Sequence, residues 1–389
     1  MLYLNHAATS HPKPESVYQA VDTCLRGKCN GNGRSNADLD ADRLVYQTRE
    51  RIATLLNIPQ SARIVLTSSG TESLNVALFG LLSPGDHVIT TSMEHNAVTR
   101  SLHYLRTSRA VTVTKIPCSP EGELDPQDIR RVIQSKTKLI VITHASNVTG
   151  TILPIQEVGQ IAKEHSILFL VDAAQTVGHL RIDVKNTGID LLAFPGHKGL
   201  FGPPGTGGLY IAEGINFRPL KYGGTGSHSD LDTIPESLPD KYEAGTPNLP
   251  GIAGLKAGVE FILQTGLELI RRHELHLTEL FLEKVVELDE IQIYGSQEPF
   301  HRVATVSLNI TGCDPLEVAQ ALQEVYGIIC RPGLHCAPDA HKTIGTFPQG
   351  TLRFSFGYSN TAEEVDALVT ALSQIIEVMK PAKILSFAS

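Results

Sequence analysis

Between residues 63 and 211, short apolar runs alternate with stretches whose apolar residues recur three and four positions apart. The runs Arg63–Thr67, His87–Thr91, Val111–Ile116, Lys138–His144, Ile167–Asp172, Asp190–Pro195 and Gly208–Ile211 read as strands, several with the continuous hydrophobicity of strands buried on both faces. The stretches Glu72–Leu82, Thr99–Arg106 and Ile155–His165 carry helical spacing between them. Alternation of this kind predicts an α/β fold with a largely parallel sheet covered by helices on both faces. Beyond about Gly251 the pattern turns to long helical stretches, with candidate strands at Arg302–Ile310 and Thr351–Gly357. That change predicts a smaller α+β domain, formed by residues 1–13 and 256–389 against a large domain of 14–255.

A chain of 389 residues exceeds what one core usually supports, which agrees with two domains. No apolar run approaches the roughly 20 residues of a membrane-spanning helix. The start, MLYLNHAATSHPKP, lacks a basic segment followed by an apolar one, so the expected location is cytoplasmic, with no membrane partner. A net charge of −8 with no basic stripe speaks against nucleic acid. The six cysteines lack the spacing of metal ligands, and no metal site is expected. Five of them read as inert, mostly buried thiols; Cys336 is set apart below.

Chemistry enters at the strand ends. Asp172 closes one apolar run and Lys198, in Gly196-His197-Lys198-Gly199, follows the next, where α/β enzymes build their sites. A cofactor that forms a Schiff base with lysine, and whose ring nitrogen pairs with a carboxylate, needs this combination, and that cofactor is pyridoxal phosphate. Ser68-Ser69-Gly70-Thr71-Glu72-Ser73 follows the first strand and opens a helix. Backbone N–H groups of Gly70, Thr71 and Glu72 there suit a phosphate, although a plain helix cap explains the same residues. Gly202-Pro203-Pro204-Gly205-Thr206-Gly207 resembles a nucleotide-binding loop, but Gly208-Leu209 stands where that loop needs lysine and a hydroxyl, so it reads as a turn into a strand.

The ordered set Ser69-Gly70-Thr71-Glu72, Glu94-His95-Asn96-Ala97, Ser146-Asn147-Val148-Thr149-Gly150, Val171-Asp172-Ala173-Ala174-Gln175, Gly196-His197-Lys198, Glu243-Ala244-Gly245-Thr246-Pro247 and Arg331-Pro332-Gly333-Leu334-His335-Cys336-Ala337 resembles the class V, fold-type I aminotransferases. Within them it is similar to the cysteine desulfurases, especially the branch near the selenocysteine lyases. The resemblance spans nearly the whole chain. It implies a mainly parallel seven-stranded sheet flanked by helices, a smaller C-terminal α+β domain, and a homodimer.

Residue by residue, the resemblance implies that Lys198 holds the cofactor and then moves a proton, that Asp172 keeps the ring nitrogen protonated, and that Gln175 reaches the ring hydroxyl. His95 stacks on the ring and exchanges protons. Asn147 contacts the ring hydroxyl or the substrate carboxylate, with ordinary turn chemistry as its alternative. His197 and Thr71 complete the phosphate shell, and Thr246 does so from the neighbouring subunit. Pro195 stands where relatives carry a hydroxyl for the phosphate, which removes one donor. Arg353, an arginine in an apolar strand, suits an amino-acid carboxylate, the alternative being an internal ion pair. Cys336 supplies the nucleophile that accepts sulfur, with His335 beside it to favour the thiolate; Leu334 stands where relatives have another histidine.

The expected function is therefore the transfer of sulfur from L-cysteine to Cys336 with release of L-alanine, and onward transfer to an acceptor protein. Selenocysteine lyase and C–S β-lyase action on cysteine or cystine are the other enzymatic readings. A sulfur carrier or scaffold with a decayed site is the non-enzymatic one.

Overall fold

The computed structural model describes residues 1–28, 36–228 and 230–379. Cys29 lies outside them.

All seven strands read from the apolar runs form one sheet. They are β1 (Ile64–Thr67), β2 (His87–Thr91), β3 (Thr112–Ile116), β4 (Thr137–Thr143), β5 (Leu168–Asp172), β6 (Leu191–Pro195) and β7 (Gly207–Ile211), in the spatial order β1-β7-β6-β5-β4-β2-β3. The neighbours from β6 across to β3 are parallel; β7 alone runs antiparallel to both of its neighbours. Alternation along each strand feeds two separate cores. Ile140, Ile142, Phe169, Val171, Leu192 and Phe194 face one side, where they meet Val158 and Ile161 of the helix Ile155–Glu164 and Val259 of the helix Leu249–Thr265. Leu139, Val141, Leu170, Leu191 and Ala193 face the other, against Leu74 and Leu78 of the helix Gly70–Leu81 and Leu102 of the helix Asn96–Arg109. Both faces are covered, which is why the strands lack an apolar–polar alternation.

The second sheet is four-stranded and antiparallel: β8 (Ile291–Tyr294), β9 (Thr305–Ile310), β10 (Arg331–Gly333) and β11 (Thr351–Ser355), in the order β10-β11-β9-β8. Its own core joins Val306, Leu308, Leu352 and Phe354 to Phe281, Val318, Leu322, Leu368 and Leu372 from three helices. The strand expected from Arg302 starts at Thr305, because the chain first makes a tight helical turn over Pro299–His301. Strands β8 and β10 and the helices Glu15–Thr23, Asn36–Leu56 and Pro338–Thr343 come in addition to the elements expected from the sequence.

The N-terminal segment bridges the two sheets. Leu2 and Tyr3 pair in parallel with Ile328 and Ile329, and the Ala7 N–H donates to Ser355 Oγ. Farther on, Ser10 N, Thr9 Oγ1 and Lys13 Nζ all donate to the carbonyl of His197.

Candidate functional site

The strand order sets the place of the site. The chain lays β3 outside β2 and then returns to put β4 on the opposite side of β2, so the loops after β2 and β4 diverge and leave a crevice at the C-terminal ends of the strands. A cavity of about 230 Å³ opens there, lined by Gly70, Thr71, His95, Asn147, Asp172, Gln175, Pro195, His197, Lys198, Arg331, His335 and Arg353 among others. Of the residues singled out in the sequence, Glu72, Thr246 and Cys336 are not in that lining.

Asp172 ends β5 and Lys198 follows β6, its parallel neighbour. Asp172 is 3% exposed, and its Oδ1 accepts the Ala174 N–H at 3.0 Å. Burial raises its pKa, while that hydrogen bond and the nearby Lys198 oppose the rise. Burial also lowers the Lys198 amine to about 8, with Arg353 and Arg331 pushing the same way and Asp172 against them. An amine depressed to that point is a competent base near neutral pH.

His95 caps the helix Asn96–Arg109, its Nδ1 accepting the Ala97 N–H at 3.0 Å. That bond requires an unprotonated Nδ1. Burial, with Lys198, Arg331 and Arg353 nearby, accordingly lowers its pKa to about 4. His197 is also held near 4 by burial, and its Nδ1 is buried with no partner. Gln175 donates from Nε2 to the carbonyl of Ala7, which fixes the N-terminal segment over the crevice.

Glu72 departs from the phosphate expectation. Its N–H donates to Ser69 Oγ in an ordinary helix cap, and its carboxylate takes the Ser68 N–H and hydroxyl and pairs with Lys221. The cap that was the alternative for this residue is present, and of Gly70, Thr71 and Glu72 the first two line the cavity. Pro195 packs against them: a Cβ on Gly70 would lie 3.2 Å from Pro195 Cδ. Thr246 is exposed, away from the cavity of its own chain.

The second sheet supplies the other wall. Arg331 on β10 and Arg353 on β11 are directly opposed cross-strand partners. Arg353 is 1% exposed and donates to the Asn147 carbonyl at 2.8 Å and to Asn5 Oδ1 at 3.1 Å; its Nε is buried without a partner. Among the described residues no carboxylate pairs with it, so the internal ion pair is absent and burial lowers its pKa to about 9. Two juxtaposed guanidinium groups with an unpaired donor call for an anion between them. Arg331 Nη2 also lies 3.5 Å from Cys336 Sγ, and Cys336 is exposed. Cys336 precedes the short helix Pro338–Thr343.

His335 does not serve Cys336 as the sequence suggested. It is buried, its Nε2 meets Thr351 Oγ1 at 3.0 Å, and burial with Arg353 nearby keeps it neutral well below the usual histidine range. The cation beside the sulfur is Arg331, whose opposition to Arg353 across β10 and β11 no local sequence pattern displays.

The family model for aminotransferase class-V matches residues 2–368. The chain belongs to the class-V aminotransferases. Two similar curated relatives are a probable cysteine desulfurase of Methanothermobacter thermautotrophicus, 36% identical over 96% of this chain and 94% of the relative, and another of Pyrococcus abyssi, 34% identical over 98% and 95%. Among solved structures, the apo cysteine desulfurase of Thermococcus onnurineus NA1 superposes with a TM-score of 0.91 at 34% identity, covering 97% of this chain and 95% of that one. The cysteine desulfurase CsdA of Escherichia coli, in an S-sulfonic acid form, gives 0.87 at 29% identity over 97% and 94%.

The crevice fits the pyridoxal phosphate of class-V aminotransferases. Its lining brings together the buried Asp172 carboxylate and the Lys198 amine, which interact electrostatically, His197, whose Nδ1 has no partner among the described residues, Gly70 and Thr71 at the start of a helix, and Arg331 and Arg353.

Proposed function

We propose that this class-V aminotransferase is a pyridoxal-phosphate-dependent cysteine desulfurase that leaves L-alanine and a persulfide on Cys336. The observation that carries this reading is Arg331, opposed to Arg353 across the strands and 3.5 Å from Cys336 Sγ, lining one cavity with Arg353, Asp172 and Lys198.

Asp172 would hold the ring nitrogen, His95 the ring face, Gln175 the ring hydroxyl, and Gly70, Thr71 and His197 the phosphate. Asn147 lies where it can meet the ring hydroxyl or the substrate. Lys198 would carry the cofactor and, once released, move protons. When bound, the cofactor supplies an electron sink for the substrate's Cα carbanion. Arg353, dry and lacking a carboxylate partner, takes the substrate carboxylate in a paired hydrogen bond. Lys198, with a pKa near 8, removes the Cα proton. The Cys336 thiolate attacks the substrate sulfur: an S–S bond forms, the Cβ–S bond breaks with its electrons passing to carbon, and carbon takes a proton. A negative sulfur also stabilises the charged forms of Arg353 and Lys198, so the cavity is tuned to receive it.

The large domain (14–255) would bind the cofactor, and the small one (1–13 and 256–389) the substrate. We further propose a cytoplasmic homodimer in which the exposed Thr246 completes the partner's phosphate shell, and an acceptor protein that collects sulfur at the exposed Cys336. Among the described residues no helix is long and apolar enough to cross a membrane.

The test is treatment of the cofactor-loaded enzyme with L-cysteine, followed by mass analysis of its peptides. One added sulfur on the Cys336 peptide, with alanine released in step, is the expected result. Pyruvate and ammonia in place of alanine would replace this reading with the β-lyase.

A further inference from the structure

Two successive non-glycine residues, His335 and Cys336, have left-handed backbones, with φ of 48° and 60°. The Ala337 N–H donates to the Leu334 carbonyl at 2.9 Å, closing a β-turn with these two residues at its centre. Both central positions of such a turn favour glycine, asparagine or aspartate, and histidine and cysteine are held there at a cost. Strain of this kind persists only where surrounding groups over-determine it.

Those groups come from the first sheet, one from each side of the crevice. The loop after β2 contributes the Asn96 N–H, which donates to the Cys336 carbonyl at 2.7 Å. The loop after β4 contributes the Asn147 side chain, whose Nδ2 donates to the His335 carbonyl at 2.6 Å. Each central residue of the turn therefore has its carbonyl fixed by one of the two loops that diverge at the switch point. The Asn147 loop is itself immobilised from the second sheet. Its four successive carbonyls, from Asn147 to Gly150, accept from Arg353 at 2.8 Å, Ser307 Oγ at 2.7 Å, Arg302 Nη2 at 2.6 Å and the Val303 N–H at 2.9 Å. Arg302 is 0% exposed and bonds only to carbonyls, a stiff cross-brace rather than half of an ion pair.

We infer that Asn147 is a positioning residue for the sulfur acceptor: its side-chain N–H holds the left-handed His335–Cys336 turn, and thereby keeps Cys336 Sγ beside Arg331 at the mouth of the cavity. This inference rests on the reading of Cys336 as the sulfur acceptor. The rest of the turn follows from it. The nucleophile sits on a short, strained support with two fixed carbonyls, so its aim is set before substrate arrives.

The experiment reads the turn directly. Iodoacetamide alkylation of Cys336 in the cofactor-loaded enzyme without substrate, followed by peptide mass, reports the placement of the thiol independently of any sulfur chemistry. Asn147→Asp keeps size and shape but turns an oxygen towards the His335 carbonyl. It should slow alkylation of Cys336 about tenfold by removing Sγ from the Arg331 guanidinium. Asn147→Ala should do the same, and adding His335→Asn, which relieves the left-handed backbone, should recover most of the loss. A merely structural role for Asn147 would not be rescued from inside the turn. Unchanged alkylation in both single variants, or a loss that His335→Asn does not reduce, overturns the inference. The sulfur-acceptor reading fails separately, when wild-type enzyme carries no added sulfur on Cys336 after L-cysteine.

Discussion

The two walls of the crevice are built on different principles. The wall from the first sheet places Asp172, Lys198 and His95 at the ends of strands whose registry is parallel and whose faces are both covered, so each position follows from where a strand stops. The wall from the second sheet places Arg331, Arg353 and Cys336 by cross-strand opposition and by a left-handed turn. The first arrangement holds Asp172 buried and Lys198 and His95 half-buried, and suits groups whose pKa values must be shifted. The second leaves Cys336 exposed, as the proposed hand-over of sulfur to an acceptor requires.

The largest expected effect tests the first wall. Lys198→Ala should lower alanine formation by roughly 10²- to 10⁴-fold, the range associated with a positioned proton-transfer group. Borohydride treatment of wild-type enzyme should fix the cofactor on the Lys198 peptide. Cofactor fixed on another lysine would mean that the strand-end geometry of β5 and β6 had been assigned the wrong role.

That difference between walls also explains what could be read in advance. All seven strands of the large sheet and the Asp172–Lys198 pair were legible because an apolar run and its end are local features of sequence. Strand β10, three residues containing a proline and a glycine, has no such signature, and the opposition of Arg331 to Arg353 is fixed by a register that no local pattern displays. The assignment of thiolate support to His335 failed for the same reason. Adjacency in sequence says nothing about side-chain direction, and the left-handed turn sends the imidazole to Thr351 while Arg331 reaches the sulfur. The Glu72 N–H makes the cap bond to Ser69 Oγ that local sequence had offered as the other option.

The next effect tests the second wall. Arg353→Met should lower kcat/KM for L-cysteine by about 10- to 100-fold, mostly through KM, because it removes a charge-assisted partner for the carboxylate from a dry site. Arg353→Lys should restore only part, since an ammonium cannot reproduce the planar pair of donors. Visible absorption of the bound cofactor should persist in both. A fall confined to kcat, with KM unchanged, would take the substrate carboxylate away from Arg353.

The smallest effect compares the two walls as media rather than as sites. Each has a buried histidine away from the chemistry: His144 follows β4 with Nδ1 at 3.0 Å from Thr176 Oγ1, and His341, 0% exposed, has Nδ1 at 2.7 Å from Thr346 Oγ1 behind the Cys336 turn. Burial lowers both to about 4, from about 6.5 in an unfolded chain. A depressed histidine favours the folded state fully above pH 6.5, and that contribution shrinks as pH falls towards 4, because the unfolded chain takes up a proton that the folded one refuses. Between pH 7.5 and pH 5 each should therefore cost about 2 kcal/mol of stability in urea unfolding. His144→Gln and His341→Gln should each flatten the profile by that amount, whatever they do to stability at pH 7.5. If only His144→Gln flattens it, the ground behind the Cys336 turn admits water and the second wall is softer than the first; equal flattening means that the ground behind the Cys336 turn is as dry as that behind β4.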